Sequence, residues 1–173
     1  VGRGLAVVPI GSWTREIVTK AQELHTAGNT WLDSRNAIIA FVHQRGRDRV
    51  WVESASNTGL TTLAILYGQG NFIDTVDYGV RGGEDSDCNP ATAGGLVGMM
   101  KGQSGVLAEL TAAGFTVSLP QNYNDSSTVI GLPKGVWATS EVLDVFQAAV
   151  ETQITAGGGS IYVDPQDRQM YSI

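Results

Sequence analysis

The chain has 173 residues, 42% of them hydrophobic and 16% charged, with a formal net charge of −6. That length suits one compact domain. The acidic balance excludes a broad basic surface for nucleic acid, which needs clustered Lys and Arg to displace counterions from phosphate. The single cysteine, Cys88, excludes an internal disulfide and a Cys-based zinc site. No run approaches the ~18 apolar residues that span a bilayer, so neither membrane nor nucleic acid is expected as a partner.

The first helical pattern is Thr14 to Ala27, with Ile17, Ala21 and Leu24 on one face and Gly28 as its stop. Ser34 to Gln44 carries Ile38, Ile39, Phe41 and Val42 and reads as a helix buried on most sides. Arg45, Arg47 and Arg49 read as a solvated loop, and Arg49 to Glu53 as an extended piece. Leu60, Leu63, Ala64 and Tyr67 follow helical spacing up to Gly68. Asn71 then caps a helix with Phe72, Val76 and Val80 inward, closed by Gly82 and Gly83.

Asn89 is predicted as the N-cap of the next helix, with Pro90 at its first position, where the missing N–H costs nothing. This helix runs to Lys101 and ends at Gly102. Gly94, Gly95 and Gly98 each cost about 1 kcal/mol relative to Ala inside a helix, so something is expected to approach that backbone closely. Leu107 to Ala113 reads as a short helix, and residues 118–139 as a long loop rich in Gly, Pro and Asn. Ser140 to Thr155 is a last amphipathic helix with Val142, Phe146, Ala149 and Val150 inward. Ile161 to Val163 reads as a short strand. Residues 1–173 are taken as a single, mainly helical domain.

The segment with chemistry is Gly82-Gly83-Glu84-Asp85-Ser86-Asp87-Cys88-Asn89-Pro90. Asp85 and Asp87 alternate, so a bent loop can turn both carboxylates to one hard cation such as magnesium, manganese or calcium. Composition alone favours a plainer capped turn, because Asp, Ser and Asn commonly precede helices. A calcium EF-hand is rejected: Pro90 stands where its turn glycine belongs, and Leu96 where its bidentate Glu belongs.

With Ala91-Thr92-Ala93-Gly94-Gly95-Leu96-Val97-Gly98 after it, the loop resembles the C-terminal metal motif of the ADP-ribosylglycohydrolase family. Asn57 to Gly68 and the following Gln69-Gly70-Asn71-Phe72-Ile73-Asp74-Thr75 resemble that family's upstream helix, turn and next helix. The resemblance spans roughly residues 50–102. It implies an all-α orthogonal helical bundle, here its C-terminal half. It implies two divalent ions, Mg2+ or Mn2+, and hydrolysis of a glycosidic bond of ADP-ribose or a related ribosyl group. By resemblance Asp85, Asp87 and Cys88 are the candidate metal residues. Position 88 is often Thr in the family, and Cys88 stands there as a poor partner for magnesium. Glu84 sits beside the motif as an extra acid.

Gly2-Arg3-Gly4 is similar to the family's substrate-covering loop, so Gly2 and Gly4, with Gly83, are the candidate substrate-binding glycines. The family's Gly-Asp-x-x-Gly and Thr-Asp-Asp segments do not occur. The resemblance therefore implies a partner: a second chain that supplies the N-terminal half and the other ligands. Val1 in place of a starting Met fits a processed or cleaved chain. The resemblance gives no general base. His25, His43 and the four tryptophans read as structural, although an adenine-stacking ring among Trp13, Trp31, Trp51 and Trp137 stays open. So do a catalytically inactive member of the same fold and an unrelated helical binding module. The compartment is left open too: one cysteine suits either redox environment, and Asn124-Asp125-Ser126 matches a glycosylation acceptor.

Overall fold

A computed structural model describes residues 2–46, 50–118, 122–125, 135–165 and 169–172. The chain was read from sequence as one unit, but it forms two compact ones, residues 1–117 and residues 118–173.

The first unit is all helical. One turn, α1 (Gly2–Leu5), precedes α2 (Trp13–Thr26), α3 (Trp31–His43), α4 (Ser54–Gly68), α5 (Phe72–Arg81) and α6 (Cys88–Ala112). Capping fixes the starts of three of them. The side chains of Ser12, Thr30 and Asn71 accept the backbone N–H of Arg15, Asp33 and Asp74, which removes free donors that a helix start would otherwise expose. Thr30 starts α3 one turn earlier than the apolar pattern alone places it.

Helix α4 touches α2, α3, α5 and α6. Its sequence allows this, because Ala55, Ser56, Gly59, Thr62 and Ala64 keep its girth small on the buried sides. Ile17 and Ala21 of α2, Ile38 and Val42 of α3, and Leu60 and Leu63 of α4 form one core, each at most 2% exposed. Fully burying a Leu or Ile side chain contributes about 1.5–3 kcal/mol. Ala93 and Val97 bury α6 beside this group.

The segment read as extended, Val50 to Glu53, is instead a turn that leads into α4; Arg49 lies outside the described residues. In α5 the buried positions are Thr75 and Gly79, while Val80 is 48% exposed. The expected inward role of Val80 fails because Gly79 lets α6 pack against backbone on the neighbouring position. A Cβ built on Gly79 would lie 2.8 Å from Pro90 Cα.

Helix α6 kinks at Gly102, whose backbone (φ 67, ψ 170) is closed to residues with a Cβ. The expected helix end at Gly102 and the helix after it are thus both present, joined by this kink. Gly94 accepts a close neighbour, with Val76 Cγ2 3.0 Å from where its Cβ would be, but Gly95 and Gly98 face open space. Gly95→Ala is therefore expected to stabilise the chain by about 1 kcal/mol, read as a raised midpoint in denaturant. A lowered midpoint would contradict the open face.

Beyond the kink, Glu109 reaches back to the start of α5. Its Oε2 accepts the Phe72 N–H at 2.7 Å and its other oxygen meets the Lys101 ammonium. The Lys101 ammonium, with the Phe72 N–H, holds the Glu109 carboxyl below the usual carboxylate range. A depressed folded value gives stability that is complete above the unfolded value of about 4.3. That stability is lost as pH falls through the folded value. Glu109→Gln is expected to lower the melting temperature at neutral pH. The gap to wild type should close as pH drops below about 4, the unfolded range. A gap that persists unchanged into stronger acid would refute the contact's role.

The second unit holds α7 (Thr139–Ala156) between two antiparallel hairpins. The first pairs β1 (Asn122–Asp125) with β2 (Gly135–Ala138), and the second pairs β3 (Ser160–Val163) with β4 (Gln169–Ser172). The expected strand at 161–163 is thus present. The loop read over 118–139 contains β1 and β2, and its residues 119–121 and 126–134 lie outside the described ones. Glu141 caps α7 by accepting the Ala138 N–H at 3.0 Å. Gln169 donates to Glu151 at 2.6 Å and ties β4 to α7. No described residue of α7 is buried, and Phe146 and Val150 are 66% and 50% exposed. Their expected inward role fails, because two hairpins of four-residue strands are too small to cover an 18-residue helix.

Candidate metal centre

The acidic loop joins α5 to α6 through a sharp reversal. Gly83 (φ 77) and Glu84 (φ 56) are both left-handed, which a glycine adopts freely and a glutamate does not. Arg35 of α3 braces the base of this turn, its Nε donating to the Gly82 carbonyl at 2.9 Å. Gly83 packs against the same guanidinium. Glu84 is directed by this turn rather than grouped with the other acids.

Asp85, Asp87 and Cys88 come together. One ligand atom from each lies within 4.8 Å of the others; Asp85 is half-buried, and Asp87 and Cys88 are exposed. The predicted cap moves in the process. Helix α6 begins at Cys88, so Pro90 is its third residue, still inside the first turn where no partner for its nitrogen is needed. The N-cap residue is Asp87, whose side chain makes no cap hydrogen bond; Asp85 Oδ1 instead accepts the Cys88 N–H, the first of the helix, at 3.3 Å. Asn89 does not cap, because its side chain is turned inward to α4 and is 4% exposed.

That inward turn makes a network. Asn57 Oδ1 accepts the Asp85 N–H at 3.1 Å and the Asn89 side-chain amide at 2.8 Å. Thr61 donates to Asn89 Oδ1 at 3.0 Å. Asn57 in turn donates to the carbonyls of Trp51 and Glu53 at 2.8 and 3.0 Å. The sequence reading placed Asn57 in a helix without giving it or Thr61 a role.

Two charges act on the loop. The Asp85 side chain, with the N–H groups of Asp87 and Cys88, holds the Asp87 carboxyl below the usual carboxylate range. Asp85, by hydrogen bond and by charge, pushes the Cys88 thiol up, so it stays protonated at neutral pH. Two converging carboxylates fit a hard divalent cation, whereas sulfur is a soft ligand and a poor match for one. A groove of about 480 Å³ adjoins them, lined in part by Asp85, Cys88, Asn57, Thr58, Thr61 and Thr92.

The other candidate residues lie elsewhere. Gly2 and Gly4 lie in α1, a single turn of helix whose first N–H groups have no intrahelical partner. His25 packs edge-on against Tyr67, with ring centroids 4.8 Å apart. Trp13 stacks with Phe41, and Trp31 tilts against Tyr78. Trp51 is 61% exposed, and Trp137 lies in β2. Arg45, read as loop, covers the Phe41 ring at 3.7 Å; Arg47 lies outside the described residues. Asn124 of the acceptor triplet lies in β1.

The model of the ADP-ribosylglycohydrolase family matches residues 3–116. The chain belongs to that family. The match to ADP-ribosylglycohydrolase ends at the boundary of the helical unit, so the hairpin-and-helix unit lies beyond it. No curated protein and no solved structure matches the chain. The all-α unit and the acidic loop agree with what the resemblance implied.

Proposed function

We propose that the chain carries one metal loop of a divalent-metal-dependent hydrolase that cleaves a glycosidic bond of ADP-ribose or a related ribosyl group. The observation that carries this is the convergence of Asp85 and Asp87 in a chain of this family. Asp85 and Asp87 hold Mg2+ or Mn2+, with two ions the expected number, and Cys88 stays outside the shell. When bound, the cations supply Lewis acidity and orient hydroxyl groups and water.

The chain's own residues do the holding. The left-handed turn at Gly83 and Glu84 aims the loop. The hydroxyls of Thr58, Thr61 and Thr92 line the adjoining groove, where they offer donors and acceptors to a polyhydroxylated ligand. Two aspartates fall short of the roughly six oxygens a hard cation takes. The remaining ligands and the general base come from a second chain that supplies the N-terminal half of the fold. No residue here is assigned as base.

The test is release of ADP-ribose from an ADP-ribosylated substrate by this chain with its companion. Release should need Mg2+ or Mn2+, stop with a chelator and return with metal. Release indifferent to chelator would sink the metal reading. Binding of ADP-ribose without release, metal present, would favour a catalytically inactive member instead.

A further inference from the structure

We propose that Asn57 is the positioning residue of the acidic loop: from α4 it fixes Asp85 and the first turn of α6 so that the carboxylates of Asp85 and Asp87 converge. This rests on the metal reading above. Its basis is one side chain with every hydrogen-bonding valence used. The amide oxygen accepts the Asp85 N–H and the Asn89 side chain. The amide nitrogen donates to the carbonyls of Trp51 and Glu53. An asparagine has two acceptor sites on oxygen and two donors on nitrogen, so the group is saturated and its orientation is set.

The four bonds join three segments. The Trp51 and Glu53 carbonyls belong to the turn before α4, Asp85 to the loop and Asn89 to α6. Asn89 is 4% exposed, and its own oxygen is filled by Thr61. A buried amide such as that of Asn89 is costly to leave without partners. The loop position is therefore specified from α4, which is itself packed on four sides. No other side chain matches Asn57: an Asp would set a second oxygen against two carbonyls, and an Ala would free four partners at once.

The experiment uses the full chain with its companion present, and Mn2+ as the probe. Hydrogen exchange of residues 83–89 is followed without metal, and the Mn2+ dissociation constant is measured by titration, for wild type, Asn57→Ala and Thr61→Val. Exchange in 83–89 should quicken in Asn57→Ala and its Mn2+ affinity fall by roughly ten- to a hundredfold, as when an outer partner of a metal ligand is lost. Thr61→Val should move both the same way by less, with α2 and α3 exchanging as before. If Asn57→Ala does not fold, Thr61→Val alone decides. Exchange unchanged in the variants overturns the brace. Faster exchange with unchanged Mn2+ affinity overturns its link to the metal. A wild type that takes up no Mn2+ defeats the metal reading instead, and the metal-free exchange then judges the brace alone.

Discussion

Asp85→Asn is expected to abolish divalent-cation binding and, with it, any metal-dependent hydrolysis, while leaving the fold in place. The substitution separates two jobs that one side chain performs. Asp85 Oδ1 accepts the Cys88 N–H, the first of α6, and an Asn oxygen accepts it equally well. The carboxylate charge that faces Asp87 is lost, however, and with it half of the anionic donors grouped at this site. The expected loss in Mn2+ affinity is more than roughly a hundredfold, beyond what removing an outer hydrogen-bond partner costs. Asp85→Ala removes that hydrogen bond as well and should cost about 1 kcal/mol of stability besides. Titration of Mn2+ and thermal melting of the two variants, side by side, separate these effects. Equal Mn2+ affinity in wild type and Asp85→Asn would remove Asp85 from the metal site.

Gly79→Ala is expected to destabilise the helical unit by about 1–3 kcal/mol. Its new Cβ would sit 2.8 Å from Pro90 Cα and 3.0 Å from Pro90 N. These are backbone atoms of a rigid ring residue, so no rotamer change relieves the contact. Relief requires α5 and α6 to separate at the first turn of α6, next to the acidic loop. The variant should therefore melt earlier and bind Mn2+ more weakly. Gly95→Ala adds the same methyl group to α6 with no atom within 4 Å, and the two variants should shift stability in opposite directions. A neutral Gly79→Ala would mean that the α5–α6 contact yields more easily than a packed backbone should.

These two glycines show what the sequence discloses and what it hides. Both are glycines in helical patterns, and nothing local distinguishes the packed one from the open one. Helix existence was legible because α2, α3, α4 and α5 repeat their apolar residues at helical spacing and carry Ser, Thr or Asn at several starts. Which side of a helix is covered was less so. Val80 and Phe146 lie on apolar faces by periodicity, yet both are substantially exposed, because the pattern identifies a face and not its neighbour. The hairpin of β1 and β2 escaped notice because four-residue strands carry too few alternations to stand out among Gly, Pro and Asn.

The candidate site divides along the same line. Asp85 and Asp87 were readable because the two acids are nearly adjacent, so a single bend brings them together. The cap was misplaced because Asn89 satisfies every local rule for it, and only its distant partners on α4 turn it inward. Asn57 reaches across 28 positions to the loop, and Thr61 across 28 to the first turn of α6. Only packing of α4 against α6 creates that proximity, so no spacing rule could reveal it.

The central proposal is that Asp85 and Asp87 hold divalent metal within a hydrolase that a second chain would complete. Native mass spectrometry with metal quantification, on protein purified from its own cells, tests it most directly. The account predicts a complex with a companion chain that carries about two magnesium or manganese ions, as in paired-metal hydrolases. A species that carries no metal would contradict it.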